Sequence, residues 1–346
     1  GAYALSAVTT AANNTGIGYS ALLANTAANN TAVGSNALAA NTTGTGNVAV
    51  GTSSLDANTT GDYQVAVGRN ALGVNTTGGN NTAVGDSALA ANTTASNNTS
   101  VGYASLIANT TASYNTAVGH SALTSNTTGA QNTSIGQGSM NDNTTGSYNV
   151  AVGLSALTAN TTGSENTSVG YDALKANTTA GNNTAIGRLA LSANTTGAGN
   201  TSIGAATMQL NTTGANNTAV GISALAVNTA GENTAVGALS LDANTTGGNN
   251  VSVGYNSLGA NTTGGQNTAL GHTALDANTT ASNNTALGYG SLGANTTGSE
   301  NTAVGGAALD ANTTGTNNVA VGQAALGTAT TAGQNTAVGR TAMHLT

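Results

Sequence analysis

The sequence predicts an all-β protein, a parallel β-solenoid (β-roll) of about twenty 17-residue coils stacked into a rod. Three observations indicate this fold: a short fixed period, a glycine at the same place in each unit, and an asparagine that recurs in one register. The unit reads approximately Asn-Thr-Ala-Val-Gly-x-x-Ala-Leu-x-Ala-Asn-Thr-Thr-Gly-x-x. Such a period is typical of a solenoid, in which each unit buries its apolar residues against its neighbours.

The period is measured between the glycines that close the Asn-Thr-Ala-Val-Gly element, here called marker glycines. From Gly18 to Gly339 they define nineteen intervals, seventeen of 17 residues and two of 16 residues, the latter ending at Gly34 and Gly237. Because the repeat passes through every position where a domain boundary could lie, we expect residues 1–346 to form a single continuous repeat domain without separate caps. About twenty coils spaced by about 4.8 Å would give a rod of roughly 95 Å.

Composition excludes several classes of protein. The chain is 38% hydrophobic but has no Phe, Trp, Pro or Cys, which predicts a thin stacked core, and its 4% of charged residues is far too low for a typical disordered chain. The net charge of −7 is spread singly along the chain, so we expect no nucleic-acid partner. No run approaches the roughly 18 apolar residues of a membrane span, so we expect no membrane insertion.

Two files of aliphatic residues are predicted to be buried. The residue before the marker glycine, the pre-glycine slot, is always aliphatic, as at Val50 and Ile186. Four residues after the glycine, the leucine slot holds Leu or Met. All three methionines, Met140, Met208 and Met343, lie in the leucine slot. Since Met replaces Leu in a core with little disturbance, this file is expected inside.

The residue two positions before the marker glycine is small in nearly every coil. We call this position the small slot, and it holds Ala or Ser, as at Ala32 and Ser100. Two explanations stay open: a narrow solenoid interior, or close packing of this face against another copy of the chain. The residue three before the glycine is Thr, or Val as at Val48, and shares one strand face with the pre-glycine slot. We expect two or three short strands per coil, joined by turns at the marker glycine and at the Thr-Thr-Gly segment.

An asparagine begins the Asn-Thr-Thr element in eighteen coils, from Asn25 to Asn312, and Ala329 is the only break among the later units. Identical amides about 4.8 Å apart can hydrogen-bond along a stack, and Asn tolerates turn conformations. The Ala-Leu segment before it has a composition that favours helix. However, it is only about five residues long, and the unit is shorter than the 20–29 residues of strand-plus-helix leucine-rich repeats.

The residues capable of chemistry occupy two variable slots that we expect on the outer edge of the coil. The post-glycine slot holds, for example, Tyr19, and the slot after Leu holds, for example, Asp56. The three histidines, His120, His272 and His344, are far apart in sequence, and the acidic residues do not recur in the register of calcium-binding repeats. We therefore predict no catalytic residue, no cofactor and no metal site, and a protein that is not an enzyme.

The element Asn-Thr-Ala-Val-Gly at Asn81–Gly85, with Asn-Val-Ala-Val-Gly variants at Asn47–Gly51, Asn149–Gly153 and Asn318–Gly322, resembles known fibrous repeats. It is similar to the head repeats of YadA-like trimeric autotransporter adhesins, whose coils carry Asn-Ser-Val-Ala-Ile-Gly, and to repeats of bacteriophage tail fibres. The resemblance covers the whole chain. It implies a left-handed parallel β-roll in which three chains associate with small residues at the trimer centre. The coil here is about three residues longer.

The function expected from these features is that of an extracellular structural fibre or filament subunit, a rigid shaft with multivalent surface adhesion. Expected partners are further copies of the chain, joined end to end or laterally, including as a homotrimer, and a cell or host surface. Gly1 lies in a marker-glycine slot and Thr346 in an asparagine slot, so we expect open terminal coils that template further pairing. The expected location is extracellular or surface-exposed, as a secreted fibre or a virion appendage.

Two alternative functions stay open. One is a trimeric adhesin or phage tail-fibre shaft that binds a host surface. The other is an ice-binding solenoid, because regular files of Thr can order water. Adjacent residues of a strand point to opposite faces, so the Thr-Thr pair is expected to give one outward file only, which disfavours the second alternative.

Overall fold

The computed structural model describes residues 1–343, which contain strands and turns and no helix. The chain forms two compact units. Unit 1 comprises Gly1–Asp172 with Ala176–Thr179, and unit 2 comprises Ala173–Lys175 with the chain from Ala180 onward. Each unit is a parallel β-solenoid, so the predicted fold class is confirmed.

Each unit contains ten strands of three residues. The strands of unit 1 are β1 (Thr15–Ile17), β2 (Thr31–Val33), β3 (Val48–Val50), β4 (Val65–Val67), β5 (Thr82–Val84), β6 (Thr99–Val101), β7 (Thr116–Val118), β8 (Thr133–Ile135), β9 (Val150–Val152) and β10 (Thr167–Val169). The strands of unit 2 are β11 (Thr184–Ile186), β12 (Thr201–Ile203), β13 (Thr218–Val220), β14 (Thr234–Val236), β15 (Val251–Val253), β16 (Thr268–Leu270), β17 (Thr285–Leu287), β18 (Thr302–Val304), β19 (Val319–Val321) and β20 (Thr336–Val338).

Within each unit, successive strands pair in parallel and in register, so equivalent slots of neighbouring coils lie side by side. In the pairing of β7 with β8, for example, Ala117 lies opposite Ser134 and Val118 lies opposite Ile135. Because neighbouring strands are about 4.8 Å apart, each slot forms a straight file of side chains along its unit.

Each coil has one strand, so the prediction of two or three strands per coil is wrong. The leucine segment turns instead, because alternate residues take positive φ, as at Ser121 (φ 53°) and Leu123 (φ 54°). Neither a strand nor a right-handed helix can continue through residues in the left-handed region. The same geometry therefore excludes the helix that Ala and Leu favour by composition.

The two faces of the strand are reversed relative to the predicted burial. The small slot points inward and is fully buried, as at Ala117 and Ser134, whereas the pre-glycine slot points outward, with Ile135 39% and Leu270 44% exposed. The prediction that the pre-glycine file is buried is therefore wrong. Of the two explanations for the small slot, the structure supports the narrow interior, because these side chains are enclosed within their own unit.

The leucine slot forms the apolar part of the core. Leu123, Met140, Leu157 and Met208 are all 0% exposed, as predicted, whereas Met343 is 55% exposed. Burial of each aliphatic side chain contributes about 1.5–3 kcal/mol to the free energy of folding. The alanine before it packs beside the small slot of the strand.

Some buried hydroxyl groups in this core occur in pairs, and others, such as that of Ser54, donate only to a carbonyl. The Ser100 hydroxyl donates to the Ser105 carbonyl (2.8 Å) and lies 2.5 Å from the Ser105 hydroxyl. Ser134 donates in the same way to the carbonyl of Ser139 (2.9 Å). Because a buried hydroxyl without a partner is costly, a serine in the strand is tolerated where a carbonyl accepts from it.

The marker glycine is required by both conformation and space. Gly68 has a φ of 139°, in a region that side-chain-bearing residues rarely adopt. A Cβ atom at this position would also collide with the backbone carbonyl of Gly85 in the next coil. Coils can therefore stack at strand spacing only if this position has no side chain.

The predicted file of stacked asparagines is confirmed, and it lies inside the solenoid. The Asn126 amide nitrogen donates to the side-chain oxygen of Asn109 in the preceding coil (3.0 Å) and to the carbonyl of Gly129 in its own turn (2.8 Å). Its side-chain oxygen accepts from Asn143 in the next coil (2.9 Å). All these asparagines are 0% exposed. We call this file the amide ladder.

A second buried asparagine file, which sequence analysis did not identify, lies just before the strand. The Asn132 backbone N–H donates to the side-chain oxygen of Asn115 (2.9 Å), and its amide nitrogen donates to the carbonyl of Gly146 (2.9 Å). The same carbonyl accepts from Asn143 of the amide ladder (3.0 Å). The two files thus meet on one inward carbonyl in each coil.

The two threonines of the Thr-Thr pair differ in exposure, because Thr127 is half-buried and Thr128 is exposed. The Thr127 hydroxyl donates to the carbonyl of Thr144 in the next coil (3.1 Å), and Thr128 is exposed. The pair occupies a turn and not a strand, and the alternation of strand faces does not apply to it. We call this feature the threonine corner.

The amide ladder makes a prediction about stability. Asn126→Ala leaves the buried Asn109 side-chain oxygen without a partner and removes one of the two acceptors of the Asn143 amide, which still donates to Gly146. The free energy of unfolding should fall by about 1–3 kcal/mol. Conversely, the buried side-chain oxygen of Asn312 has no partner, because Ala329 occupies the next rung. Ala329→Asn should therefore raise the free energy of unfolding by about 1 kcal/mol.

Urea unfolding and backbone amide hydrogen exchange measure both changes. The control is Thr128→Ala, an exposed corner residue, which should alter the free energy of unfolding by no more than about 0.5 kcal/mol. Equal effects of Asn126→Ala and Thr128→Ala would show that the ladder does not stabilise the coil.

Candidate functional site

The residues capable of acid, base or metal chemistry do not converge. Among residues 1–343, no group of three or more His, Asp or Glu is placed to hold a metal ion. His120 and His272 are exposed in the post-glycine slot, as predicted. His344 and the terminal Thr346 lie outside the described residues. That the protein is not an enzyme stays a prediction.

The most extensive candidate surface is the outward face of the strands, here called the sheet face. It consists of the first and third residue of each strand. In unit 1 its aliphatic file contains Ile17, Val33, Val50, Val67, Val84, Val101, Val118, Ile135, Val152 and Val169. In unit 2 the file contains Ile186, Ile203, Val220, Val236, Val253, Leu270, Leu287, Val304, Val321 and Val338.

The sheet face combines this aliphatic file with a parallel file of Thr or Val. Neither file contains a charged residue. Leu270 and Leu287 in adjacent strands are 44% and 41% exposed, so the apolar strip is continuous at the surface. Continuous exposed apolar strips of this kind mark interaction surfaces in soluble proteins. The sequence does contain a signal for this face, which is the small slot between the two files. A strand position limited to Ala or Ser faces the narrow interior of the coil, so the residues on either side of it face outward.

The post-glycine slot forms a polar and aromatic edge beside the sheet face, as predicted for a variable slot. Arg69 and Asp86 in successive coils of unit 1 form an ion pair of 2.8 Å. The hydroxyl of Ser87, together with Arg69, lowers the pKa of the Asp86 carboxyl below 3.8. Because the pair is solvated, it contributes little to stability.

Aromatic rings in the post-glycine slot stack along the edge. In unit 1, the Tyr103 and His120 ring centroids are 5.1 Å apart. In unit 2, His272 stacks on Tyr255 at 5.2 Å and on Tyr289 at 5.5 Å. Such offset stacks stabilise the file by about 0.5–1.5 kcal/mol per pair and hold large side chains in fixed positions at the surface.

The slot after Leu holds carboxyl groups that are half-buried. Burial raises the pKa of Asp276 above 3.8, against the opposing effect of hydrogen bonds from its own N–H and that of Ala277. Burial raises the pKa of Asp56 and of Asp242 in the same way. These carboxyl groups therefore carry their charge at a cost in folding free energy.

The direction of these shifts predicts how stability depends on pH. Because the folded-state pKa of Asp276 is raised, its favourable contribution is present below pH 3.8 and is lost as the pH rises through the folded-state value. Asp276→Asn should therefore raise the unfolding free energy at neutral pH, within about 1 kcal/mol for a partly solvated group, and should have no effect at low pH.

The matched control is Asp86→Asn. The pKa of Asp86 is lowered, so its contribution is present above pH 3.8 and is lost as the pH falls. Thermal unfolding of both variants between acid and neutral pH should show stabilisation by the first and destabilisation by the second. A shift of the same sign in both variants would contradict the assignment.

Comparisons with known proteins do not assign a function to this chain, so its function is inferred from its own residues and their geometry. No family model matches this chain, and no curated protein matches it. Residues 1–343 contain no helix with the length and apolar character needed to cross a bilayer.

Proposed function

We propose that this chain is a structural fibre protein, a β-solenoid shaft that assembles with further copies of itself through the sheet face. The observation that carries the proposal is the continuous, uncharged aliphatic strip along the strands of each unit. The proposed location is extracellular or surface-exposed. The resemblance of the repeat to trimeric adhesin heads and tail-fibre repeats supports this location.

A structural role fits the way in which residues vary from coil to coil. The slots that stay constant are those that hold the coils together: the amide ladder, the small slot, the marker glycine and the leucine slot. The post-glycine slot varies widely and holds Tyr, Arg, Asp, His and Gln as well as Ser, Thr, Leu, Ile, Ala and Gly. An active site instead requires several different groups that converge at one place. Repetition of one unit supports stiffness and repeated surface contact.

A second copy of the chain is the partner that suits the sheet face. Its own strip is apolar, uncharged and repeats at the same strand spacing of about 4.8 Å. Like surfaces of this kind assemble around a symmetry axis, and three copies can enclose their strips around a threefold axis. The variable edge would then stay exposed, and its Tyr and His side chains would be available for multivalent contact with a cell or host surface.

The assembly proposal is tested by sedimentation and by electron microscopy of the purified full chain. The disrupting variant combines Leu270→Glu with Leu287→Lys, which places opposite charges on adjacent rungs of the sheet face. The wild type should sediment as an oligomer or form filaments. The variant should sediment as a monomer, because burial of both charges in an apolar interface is costly.

The control variant places the same two charges on the threonine corner of the same coils, as Thr263→Glu with Thr280→Lys. It should assemble like the wild type. A wild-type protein that is a monodisperse monomer would contradict assembly through any surface, and assembly that survives the sheet-face variant would exclude this surface. Filament width distinguishes a bundle of three chains from single chains joined end to end.

Ice binding is a second candidate function, because an exposed file of second threonines runs beside a half-buried file of first threonines along the corner. In unit 1 the pairs follow one another without interruption through nine coils, from Thr42 and Thr43 to Thr178 and Thr179. The first hydroxyl of a pair is held by the next coil, and the second has no intramolecular partner, as with Thr128. Two parallel files of hydroxyl and methyl groups at a fixed spacing can order water.

Thermal hysteresis of the purified protein tests this candidate. One variant replaces three successive corner residues by the isosteric Val: Thr94, Thr111 and Thr128. The control makes the same change in three strands of the sheet face: Thr99, Thr116 and Thr133. Activity that is lost in the corner variant and kept in the control would support ice binding, and no activity in the wild type would remove it.

A further inference from the structure

The shortened coil of unit 2 differs from its neighbours at the threonine corner. The interval from Gly221 to Gly237 has 16 residues, and the missing residue falls between Asn228 and Asn233. The segment reads Asn-Thr-Ala-Gly-Glu-Asn, where full-length coils have one more residue between the two asparagines. The second corner threonine is therefore absent in this coil.

The interior adapts to the deletion while keeping its hydrogen bonds. The Asn228 amide donates to the carbonyl of Ala230, two residues ahead (2.6 Å), whereas Asn211 in the preceding coil reaches Gly214, three residues ahead (3.0 Å). The next rung is intact, because the Asn244 amide donates to the Asn228 side-chain oxygen (2.7 Å). The missing residue is thus removed from the outer corner and not from the core.

A groove of about 440 Å³ lies at this corner. Thr213 and Asn216 of the preceding coil line one wall, Asn249 of the following coil lies on the other, and Thr229 and Glu232 of the shortened coil lie between them. The volume lies within the range of about 300–1,000 Å³ that is usual for small-molecule sites. No basic and no aromatic side chain lines the groove.

The deletion also leaves hydrogen-bond donors without partners at Thr212, the residue before the groove-lining Thr213. Two coils before the shortened one, both the backbone N–H and the hydroxyl of Thr195 donate to the carbonyl of Thr212, at 2.9 Å and 3.0 Å. The N–H and hydroxyl of Thr212 make no such bonds to the shortened coil, within the part of the chain that the structure describes. The Thr212 side chain is exposed, so its hydroxyl is open to a ligand in the neighbouring groove.

The Glu232 carboxylate is exposed and has no hydrogen-bond partner among the described residues. The other 16-residue interval, in unit 1, provides a comparison, because it has Asn29 at the equivalent position. The side-chain oxygen of Asn29 accepts from the Asn13 amide in the preceding coil (3.1 Å). The acceptor at that corner is therefore occupied within the protein, whereas the acceptor in unit 2 is free.

The groups around the groove select the chemistry of a ligand. Free N–H and O–H donors are unsuited to a metal cation, and a carboxylate repels phosphate and other anions. A neutral ligand fits if it can both accept from Thr212 and donate to Glu232. Hydroxyl groups do both, and the amide side chains of Asn216 and Asn249 can bond to further hydroxyls on either side.

We propose that this groove binds one residue of a neutral saccharide, with the Glu232 carboxylate accepting from sugar hydroxyls. The proposal goes beyond the fibre function and does not depend on it, because the groove lies on the threonine corner and assembly is assigned to the sheet face. Hydrogen bonds to a charged acceptor are the stronger ones, and Glu232 is therefore expected to contribute most to affinity.

Saturation-transfer NMR of the full chain tests the proposal. The probes are D-glucose, D-galactose, D-mannose and N-acetyl-D-glucosamine at millimolar concentration. At least one should receive saturation and show a saturable titration. Insertion of one Thr between Thr229 and Ala230 restores the 17-residue coil and fills the groove, and should abolish binding.

Glu232→Gln should weaken the same binding about tenfold, because the neutral amide replaces one charged acceptor. Glu300→Gln is the control, because Glu300 occupies the same slot in a full-length coil of unit 2 and should leave binding unchanged. The proposal is overturned if no probe binds the wild type. It is also overturned if the insertion variant binds as well as the wild type, or if binding appears only with added Ca²⁺ and is independent of Glu232.

Discussion

The hydrogen bond from each ladder asparagine to the asparagine of the preceding coil is the contact on which the rest of the solenoid depends. The corner turn directs the Gly129 carbonyl into the interior, where an unsatisfied carbonyl would cost about 1–3 kcal/mol. The Asn126 amide bonds this carbonyl and the Asn109 side chain together. Each turn is thus closed by a side chain that itself needs a neighbouring coil. Folding of one coil is for this reason coupled to stacking of the next, which is the general basis of stability in solenoids.

The same constraint explains where the repeat tolerates change. In the shortened coil of unit 2, Asn228 still bonds its own turn and accepts from Asn244 of the following coil, whereas its bond to Asn211 of the preceding coil lengthens to 3.5 Å. The lost residue comes from the outer corner. At Ala329, by contrast, the ladder itself is interrupted, and the Asn312 side-chain oxygen is left buried without a partner. Length is therefore adjustable at the surface, whereas loss of an inward amide leaves a buried group unpaired. Buried slots vary only among side chains of similar size, such as Ala and Ser or Leu and Met, and the widest variation occurs at exposed positions.

The files of equivalent residues that run along the stack of coils could largely be predicted from the sequence. Stacking places residues one period apart side by side, so the period of the sequence shows directly which residues are neighbours. The file from Asn25 to Asn312 and the methionines Met140 and Met208 were assigned correctly on that basis. The orientation within a coil could not be predicted in the same way. Hydrophobicity ranks Val above Ala for burial, yet the interior accommodates only Ala or Ser opposite the leucine slot. The positive φ of Leu123 could not be predicted from residue propensity either, since leucine rarely adopts the left-handed region.

The exposed post-glycine edge was predicted from the variability of its residues. The sheet face was missed because apolar character was equated with burial, and the groove was missed because the interval length does not say which residue is absent.

The buried amides and carbonyls of the coil are hydrogen-bonded to one another, so the stacking does not depend on the outer side chains. The three outer surfaces of the coil can therefore differ in chemistry. The sheet face is apolar, the post-glycine edge is variable and partly aromatic, and the threonine corner is polar and uncharged. Each recurs along the coils, and the shortened coil of unit 2 interrupts the corner. Contacts made by such files are individually weak, but linked copies bind together, so overall affinity grows with the number of rungs engaged. The sheet face is built from the strands, and the corner and its groove are built from the turns that precede them. In the proposed assembly, the aliphatic strip would be buried and the fibre would carry one such groove for each of its chains. Under the proposed functions, affinity would be gained by repetition, and specificity would arise where the repeat is broken, as it is at Glu232.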